Sequence, residues 1–304
     1  MLQAEGAEAL LYREALENLE NVWSALPDKP EETPESTIRA LWFAAAGDPR
    51  SPIRCVDVAL PNLNGDGASR FRQLVELRAS GKPLAHLTGR QNFAGLEMIS
   101  GPGALIPRRE TELLASTAID VLQTALLGKD DALAIDVCTG SGNVALALAA
   151  SDPRVTVIGA DISADALALA RLNAERLDFT ARVSFIASDL FVALESPALA
   201  RQASVVTCNP PYIASSKVPA MAAEISRHEP RLAFDGGAFG FTVISRLLAD
   251  APRFIRPGGC LCFEVGAGNG AFIAERARRN PAYSEVRCVT DAKGVVRVLV
   301  ATVV

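Results

Sequence analysis

Residues 133–150 read LAIDVCTGSGNVALALAA. The first residues of this stretch are apolar, as in a buried strand, and a turn with two glycines follows them. The stretch then continues as an apolar segment with the character of a helix. A buried strand that passes through a glycine turn into a helix is typical of an open, mostly parallel α/β sheet. We therefore predict that this stretch forms the first strand, turn and helix of such a sheet.

The chain after Pro107 repeats this alternation of strand and helix. Buried strands are predicted over residues 133–138, 155–161, 183–187, 205–208 and 260–265. Two further strands, at 285–290 and 295–303, are joined by a short turn and predict an antiparallel hairpin at one edge. The predicted fold class is α/β, with a mostly parallel sheet and an antiparallel C-terminal hairpin.

The region before this sheet has a different character. Apolar residues recur at helical spacing in three segments, at 4–23, 37–46 and 69–79. Proline-rich and turn-rich segments, including Pro27, separate them. Residues 1–90 are therefore predicted to form a small helical N-terminal domain.

A β-hairpin linker is predicted over residues 91–106. Apolar residues between Phe93 and Ile99 lie on one side of a Gly-Pro-Gly turn, and residues 104–106 lie on the other. The second domain is then expected to occupy residues 107–304.

The composition predicts a globular protein and disfavours several classes of function. Hydrophobic residues make up 49% of the chain and charged residues 21%, which is enough apolar material for a core. The net charge of −5 and the shortness of the basic clusters disfavour direct nucleic-acid binding. With only two histidines, His86 and His228, metal sites and catalytic triads that need imidazoles have little material.

The N-terminal sequence and the cysteines bear on location and on metals. The acidic N-terminal residues lack the basic and apolar segments of a signal peptide, and no apolar stretch is long enough to cross a bilayer. By elimination, we expect a cytoplasmic location. The six cysteines include no C-x-x-C pair, so buried thiols are expected and no metal site is predicted.

The glycine turn, residues 138–142, is a candidate ligand site. Small residues at the start of a helix let backbone N–H groups approach a ligand closely. The turn residues are Cys138, Thr139, Gly140, Ser141 and Gly142. Asp161 ends the second strand, where a carboxylate can accept hydrogen bonds from both hydroxyls of a ribose. Together these features predict a nucleoside-containing cofactor, although Asp161 could instead cap the following helix.

The third strand ends in Ser188-Asp189-Leu190 at the same sheet edge. Asp189 and Leu190 are candidates to flank an adenine ring, and a helix cap is the alternative for the carboxylate.

The fourth strand ends in Asn209-Pro210-Pro211-Tyr212, an NPPY motif. The two prolines restrict the backbone. The Asn209 side-chain oxygen and the Pro210 carbonyl can then accept both hydrogens of an NH₂ group, and the Tyr212 ring can stack on its planar carrier. The motif therefore predicts a site that orients a planar, amide-like nitrogen, with Asn209 to Tyr212 as the catalytic residues. No histidine base is required.

With these motifs the chain resembles the HemK-type protein-glutamine N5-methyltransferases over about residues 81–300. The resemblance rests on the glycine turn, the NPPY motif and four further segments. These are GKPLAHLTG at 81–89, LIPR at 105–108, ETE at 110–112 and HEPRLA at 228–233. Glycine is usual in the release-factor branch of the family at the position of Cys138.

The resemblance implies a Rossmann-like class I methyltransferase domain behind a helical substrate-recognition domain. It implies S-adenosylmethionine as cofactor, bound by the glycine turn, Asp161, Leu190 and Asn209. The expected acceptor is a glutamine amide in a protein, either a peptide-release factor or a ribosomal protein. Three alternatives remain open: a small-molecule N-methyltransferase, an adenine-N6 methyltransferase, and a non-catalytic cofactor-binding module.

Overall fold

The computed structural model describes residues 6–24, 28–238 and 240–304. The chain divides into two units. The first unit comprises Met1–Pro102 together with Ala222–His228, and the second comprises Gly103–Met221 together with Glu229–Val304. A short segment from the middle of the second unit's sequence therefore belongs to the first unit.

The helices and strands follow one another along both units. The helices are α1 (Ala7–Glu20), α2 (Pro34–Ala45), α3 (Gly67–Ala79), α4 (Leu84–Thr88), α5 (Thr111–Ala125), α6 (Asn143–Ser151), α7 (Ala164–Arg176), α8 (Ala223–His228), α9 (Thr242–Asp250) and α10 (Gly270–Arg278). The strands are β1 (Arg90–Phe93), β2 (Leu96–Ile99), β3 (Ala132–Val137), β4 (Val155–Asp161), β5 (Val183–Ala187), β6 (Ala203–Cys208), β7 (Ile255–Glu264), β8 (Tyr283–Thr290) and β9 (Val296–Val303).

Helices α1 to α4 of the first unit surround an apolar core. The indole ring of Trp42 packs edge-on against Phe71, with ring centroids 4.9 Å apart. Helix α2 begins three residues before its predicted start, because Thr33 accepts a hydrogen bond from the Ser36 backbone N–H and caps the helix. The predicted start of the first helix at Ala4, and Pro27, lie outside the described residues.

A cluster of charges with three buried members and one partly buried member, here called the charge cluster, joins α8 to the rest of the first unit. It consists of Lys29, Glu32, Arg78 and Glu224. The Glu224 carboxylate is 2.7 Å from Lys29 Nζ and 3.0 Å from Arg78 Nη1. Burial acts to raise the pKa of Glu224, but the charges and hydrogen bonds of the two cations outweigh burial and lower the pKa. Glu32 and Glu224 each contact both cations, and Glu224 makes the shorter contact with each.

The hairpin of the first unit lies earlier than the sequence predicted. Strands β1 and β2 pair with each other, so the second strand is Leu96–Ile99. The predicted strand at residues 104–106 is wrong. Ala94 and Gly95, both with positive φ, form the tight two-residue turn that joins β1 to β2. The Gly-Pro-Gly segment therefore lies beyond the hairpin.

The second unit is a seven-stranded sheet in the order β5-β4-β3-β6-β7-β9-β8. The first five strands of this order are parallel, and β9 runs antiparallel to both of its neighbours. Helices α5, α6, α7 and α10 pack against these strands. The α/β fold class predicted from the sequence is confirmed. Across residues 6–24, 28–238 and 240–304, no helix combines the length and apolar character that a membrane span requires.

The register of the parallel strands gathers four chain segments at one edge of the sheet. Val137 at the end of β3 pairs with Ala160 of β4 and with Cys208 of β6. Cys208 in turn pairs with Phe263 of β7. The residues that follow these pairs are Cys138, Asp161, Asn209 and Glu264, so the register brings them to the same carboxyl edge.

Candidate active site

A cleft of about 1110 Å³, including its open mouth, lies at this carboxyl edge. Its lining comes from the second unit alone. It includes Cys138, Thr139, Gly140, Ser141, Asp161, Asp189, Leu190, Asn209 and Pro211 among the residues predicted from the sequence. The predicted residues Gly142, Pro210 and Tyr212 are not among the described residues that line it. The glycine turn and the NPPY motif therefore face one common space.

The glycine turn is held in a strongly curved conformation. Cys138, Gly140 and Gly142 have φ angles of 57°, 56° and 81°. A Cβ at Gly142 would lie 3.0 Å from Phe185 Cζ and 3.2 Å from Ala170 Cβ, so that position also requires glycine for space. The end of the turn is therefore packed closely against β5 and α7.

Asp161 ties the glycine turn to the second strand. Its Oδ2 accepts the Gly140 backbone N–H at 2.8 Å, and its Oδ1 accepts the Ser163 N–H at 2.9 Å. Burial raises the pKa of Asp161, and these backbone hydrogen bonds oppose that rise. The side chain that caps α7 is Ser163, which accepts the Ala166 N–H. Each Asp161 oxygen retains a further lone pair for a ligand hydroxyl.

Asp189 and Leu190 lie at the end of the third strand, where they line the cleft. Leu190 is buried and has a φ of 51°. The half-exposed Asp189 forms an ion pair with Arg246 at 3.0 Å. Leu190 thus gives the cleft an apolar wall, while the Asp189 carboxylate is already engaged by a surface cation.

Asp136 is a buried acid in the cleft lining that was not among the predicted site residues. Its two oxygens accept hydrogen bonds from Thr139 Oγ1 at 2.6 Å and Thr207 Oγ1 at 2.7 Å. Burial raises the pKa of Asp136 to about 6, although these bonds lower it. Its position near the end of a predicted strand, two residues before the glycine turn, was the available signal.

Asn209 lies at the end of a buried hydrogen-bond chain. Its Nδ2 donates to Thr111 Oγ1 at 3.0 Å, and that hydroxyl donates to Glu264 Oε2 at 2.7 Å. The Tyr212 hydroxyl donates to Glu264 Oε1 at 3.0 Å. Burial raises the pKa of Glu264, whereas the Thr111 hydrogen bond and the charge of Arg297 lower it. Thr111 at the start of α5 and Tyr212 in the segment after β6 thus converge on the carboxylate at the end of β7.

The Tyr212 ring packs on backbone of the second unit. A Cβ at Gly266 would lie 2.9 Å from Tyr212 Cδ2, so the ring lies directly against that glycine. Burial raises the pKa of Tyr212, and the neighbouring charge of Glu264 raises it further. The side chain therefore remains a neutral hydroxyl donor.

Sequence reasoning missed the roles of Thr111 and Glu264. Thr111 lies in the ETE segment and Glu264 lies in the predicted strand at 260–265, so both were visible as positions. Their pairing joins residues 153 positions apart and depends on the strand order, which the sequence does not reveal.

One wall of the cleft consists of two of the segments noted in the sequence. Glu229 is buried and accepts the Ile106 backbone N–H at 2.8 Å, and it also pairs with Arg108. This carboxylate joins the segment 104–108 to the segment 230–233, and both line the cleft. Arg108 and Glu229 thus hold together a wall built from distant parts of the chain.

Known proteins resemble both the sequence and the fold. A family model described as "Methyltransferase small domain" matches residues 115–247. A release factor glutamine methyltransferase from Moorella thermoacetica is 35% identical over 86% of this chain and 87% of its own length. Another, from Gloeobacter violaceus, is 35% identical over 77% of this chain and 78% of its own length.

Among solved structures, the hMettl16 catalytic domain matches with a TM-score of 0.52 and 15% identity. The match covers 79% of this chain and 84% of that one. This structural likeness shows the fold alone. The sequence identity, sustained over most of both chains, shows the family. The chain belongs to the release factor glutamine methyltransferases.

Proposed function

We propose that this protein transfers a methyl group from S-adenosylmethionine to the N5 nitrogen of a glutamine side chain in a peptide-release factor. The observation that carries the proposal is the common cleft, in which Asn209 and Pro211 of the NPPY motif face the glycine turn and Asp161. A nitrogen held at Asn209 would therefore be near a cofactor held by the turn. Family membership supports the same reaction.

The residues of the cleft fit S-adenosylmethionine. Asp161 offers free lone pairs to the ribose hydroxyls, and Leu190 offers an apolar surface to the adenine ring. Ser141 Oγ is buried and, within the part of the chain that the structure describes, has no hydrogen-bond partner. A buried hydroxyl without a protein partner is suited to form a hydrogen bond with a polar group of a ligand. The proposed binding residues are Cys138, Thr139, Gly140, Ser141, Gly142, Asp161, Asp189, Leu190 and Asn209.

When bound, S-adenosylmethionine supplies a methyl group on a positively charged sulfur that is open to direct attack. The proposed task of Asn209 Oδ1 and the Pro210 carbonyl is to accept the two hydrogens of the glutamine amide and orient its nitrogen. Both oxygens also stabilise the positive charge that develops on that nitrogen, which then loses one of its two hydrogens as a proton to solvent at the open mouth of the cleft. Pro211 and Tyr212 complete the proposed catalytic motif: Pro211 lines the cleft with Asn209, and Tyr212 donates to Glu264 behind it.

The helical residues 1–90 are proposed to recognise the protein substrate, with residues 91–106 as linker and 107–304 as the catalytic domain. Their separate apolar core supports an independent role. If they bind the release factor outside its glutamine segment, the intact factor should have a lower KM than a short peptide with the same glutamine. A cytoplasmic location remains a prediction.

The direct test offers labelled S-adenosylmethionine and the purified protein to a release factor and to its Gln→Ala variant. A cell extract separated into protein and small-molecule fractions is the third sample. We expect label on the intact factor and none on the variant. Label confined to the small-molecule fraction would instead identify a metabolite methyltransferase and overturn the proposal.

A further inference from the structure

We propose that Thr111 and Glu264 are positioning residues that fix the Asn209 carboxamide with its Oδ1 toward the acceptor nitrogen. The observation is the hydrogen-bond chain from Asn209 through Thr111 to Glu264, which Tyr212 joins from the other side. This inference rests on the proposed function, because it assigns a direction to the amide that orients the substrate.

The direction of the chain follows from the chemistry of its end. Both Glu264 oxygens accept hydrogen bonds, Oε2 from the Thr111 hydroxyl and Oε1 from the Tyr212 hydroxyl, so the hydroxyl hydrogens of both residues are already used. Thr111 Oγ1 then has only lone pairs to offer. The partner of those lone pairs must be the Asn209 NH₂ group, since the amide oxygen has no hydrogen to donate. Asn209 Oδ1 is left to accept from the substrate.

The opposite orientation of the amide would prevent the proposed contact. If Asn209 turned by half a rotation, its NH₂ group would face the NH₂ group of the acceptor glutamine. Two donors facing each other in a partly buried site leave both without an acceptor, which is unfavourable. The Thr111 and Glu264 side chains are 2% exposed, so water has little access to either. The chain thus selects the orientation that the reaction needs.

Glu264 acts in this scheme through its neighbours. Among the described residues that line the cleft, Thr111 and Asn209 are present and Glu264 is not. Its two oxygens are occupied by hydroxyls from α5 and from the NPPY motif. Removing a proton from the substrate would need direct contact with the cleft, so a positioning role fits Glu264 and a base does not.

The first test compares two substitutions of Thr111 with a matched control in the same helix. Thr111→Val removes the hydroxyl at nearly constant volume, and Thr111→Ser keeps it. Thr117→Val is the control, since the buried Thr117 hydroxyl donates only to the Leu113 carbonyl of α5. We expect Thr111→Val to lower kcat by about 10- to 100-fold, with the KM for S-adenosylmethionine within about twofold. Thr111→Ser should recover most of kcat, and Thr117→Val should retain it.

The second test uses Glu264→Gln, which replaces one acceptor oxygen by an NH₂ donor. One of the two hydroxyls then faces a donor, and the direction of the chain is lost. We expect a fall in kcat similar to that of Thr111→Val, and the double variant should be no worse than the poorer single variant. Purely structural effects would instead add and would lower Tm while the folded fraction turned over normally.

A measurement without turnover separates this inference from the proposed function. The ¹⁵N side-chain amide resonance of Asn209, assigned by its loss in Asn209→Ala, should show slow hydrogen exchange in the wild type. It should exchange faster in Thr111→Val and recover in Thr111→Ser. An unchanged resonance together with near-normal kcat in Thr111→Val would overturn the positioning role. Absence of glutamine methylation by the wild type would overturn the proposed function alone, because the resonance would still report the orientation.

Discussion

Asp136 carries a carboxylate into a fully buried position below the glycine turn. Two threonine hydroxyls compensate its two oxygens, yet burial still raises its pKa to about 6. In the unfolded chain an aspartate titrates near 3.9. The folded state therefore binds the proton more tightly than the unfolded state does. The Asp136 proton therefore adds to the free energy of unfolding. This contribution is complete below about pH 4 and is lost as the pH rises through about 6.

Asp136→Asn should remove this pH dependence. Relative to the variant, the free energy of unfolding of the wild type should fall by about 2 kcal/mol between pH 4 and pH 8. The Asn side chain has one acceptor oxygen fewer, and this loss changes the free energy of unfolding by the same amount at every pH. The diagnostic quantity is therefore how the difference between the two proteins changes with pH. Urea denaturation of both proteins at several pH values measures it. A constant difference across the range would show that Asp136 titrates as it does in the unfolded chain.

Single residues differ in how far the sequence could predict them. The position of Asp161 and Asn209 at one edge of the sheet was predictable, because each lies at the carboxyl end of a parallel strand and such ends meet at one edge. The Thr111–Glu264 pair was not, because the contact depends on β7 lying beside β6. Burial shifts such as that of Asp136 also depend on neighbours that only the folded chain provides.

Cys138 shows how an element imposes its conformation on a residue. It is the first residue of the glycine turn, and its φ of 57° lies in the left-handed region. A side chain there costs about 1–2 kcal/mol relative to glycine. This conformation gives a physical reason for the glycine that the resemblance to the release-factor branch leads us to expect at this position. Part of the strain is offset because Cys138 packs against the core of the second unit.

Substitutions of Cys138 should separate strain from packing. Cys138→Gly should leave the free energy of unfolding within about 1 kcal/mol of wild type, because relief of strain offsets lost packing. Cys138→Val should destabilise the protein by about 1–2 kcal/mol, since a β-branched side chain fits the left-handed region poorly. The matched control is Cys288→Val in β8, where the backbone is extended and valine is favoured. If both valine variants had the same stability, backbone strain at Cys138 would be ruled out.

Whole elements were largely predictable, and the errors have specific causes. The parallel strands were predicted within a few residues at their carboxyl ends, because each is a short apolar run followed by a turn. The hairpin failed because Ala94-Gly95 is a two-residue turn that resembles an ordinary loop in sequence. Helix α8 contributes no buried side chain, so it has no periodic apolar signal.

At the scale of the molecule, the charge cluster connects α8, which is distant in sequence, to the other helices of the helical unit. The Lys29 and Arg78 side chains are 2% and 6% exposed, so their charges need a partner. Glu224 contacts Lys29 at 2.7 Å and Arg78 at 3.0 Å, whereas Glu32 lies farther from each, at 3.8 Å and 3.3 Å. The helical unit is therefore stabilised by a residue from the second half of the chain.

Glu224→Gln should destabilise the protein by about 3 kcal/mol, because it leaves two buried cations with one carboxylate. Adding Lys29→Met should recover part of the loss, since it removes one of the unpaired charges. The matched control, Glu76→Gln, changes an exposed carboxylate on α3 and should have an effect within about 0.5 kcal/mol. Chemical denaturation compares the four proteins. Equal stability of Glu224→Gln and Glu76→Gln would contradict a structural role for the cluster.

The membership of α8 in the helical unit has a consequence for synthesis on the ribosome. N-terminal domains commonly fold first as a chain emerges. Here the segments that precede Pro102 leave the ribosome with Lys29 and Arg78 still lacking Glu224. The missing carboxylate is translated only after strands β3 to β6. The charges of Lys29 and Arg78 in the nascent helical unit are therefore incompletely neutralised until most strands of the sheet have been synthesised. A fragment that ends at Pro102 would lack Glu224 permanently.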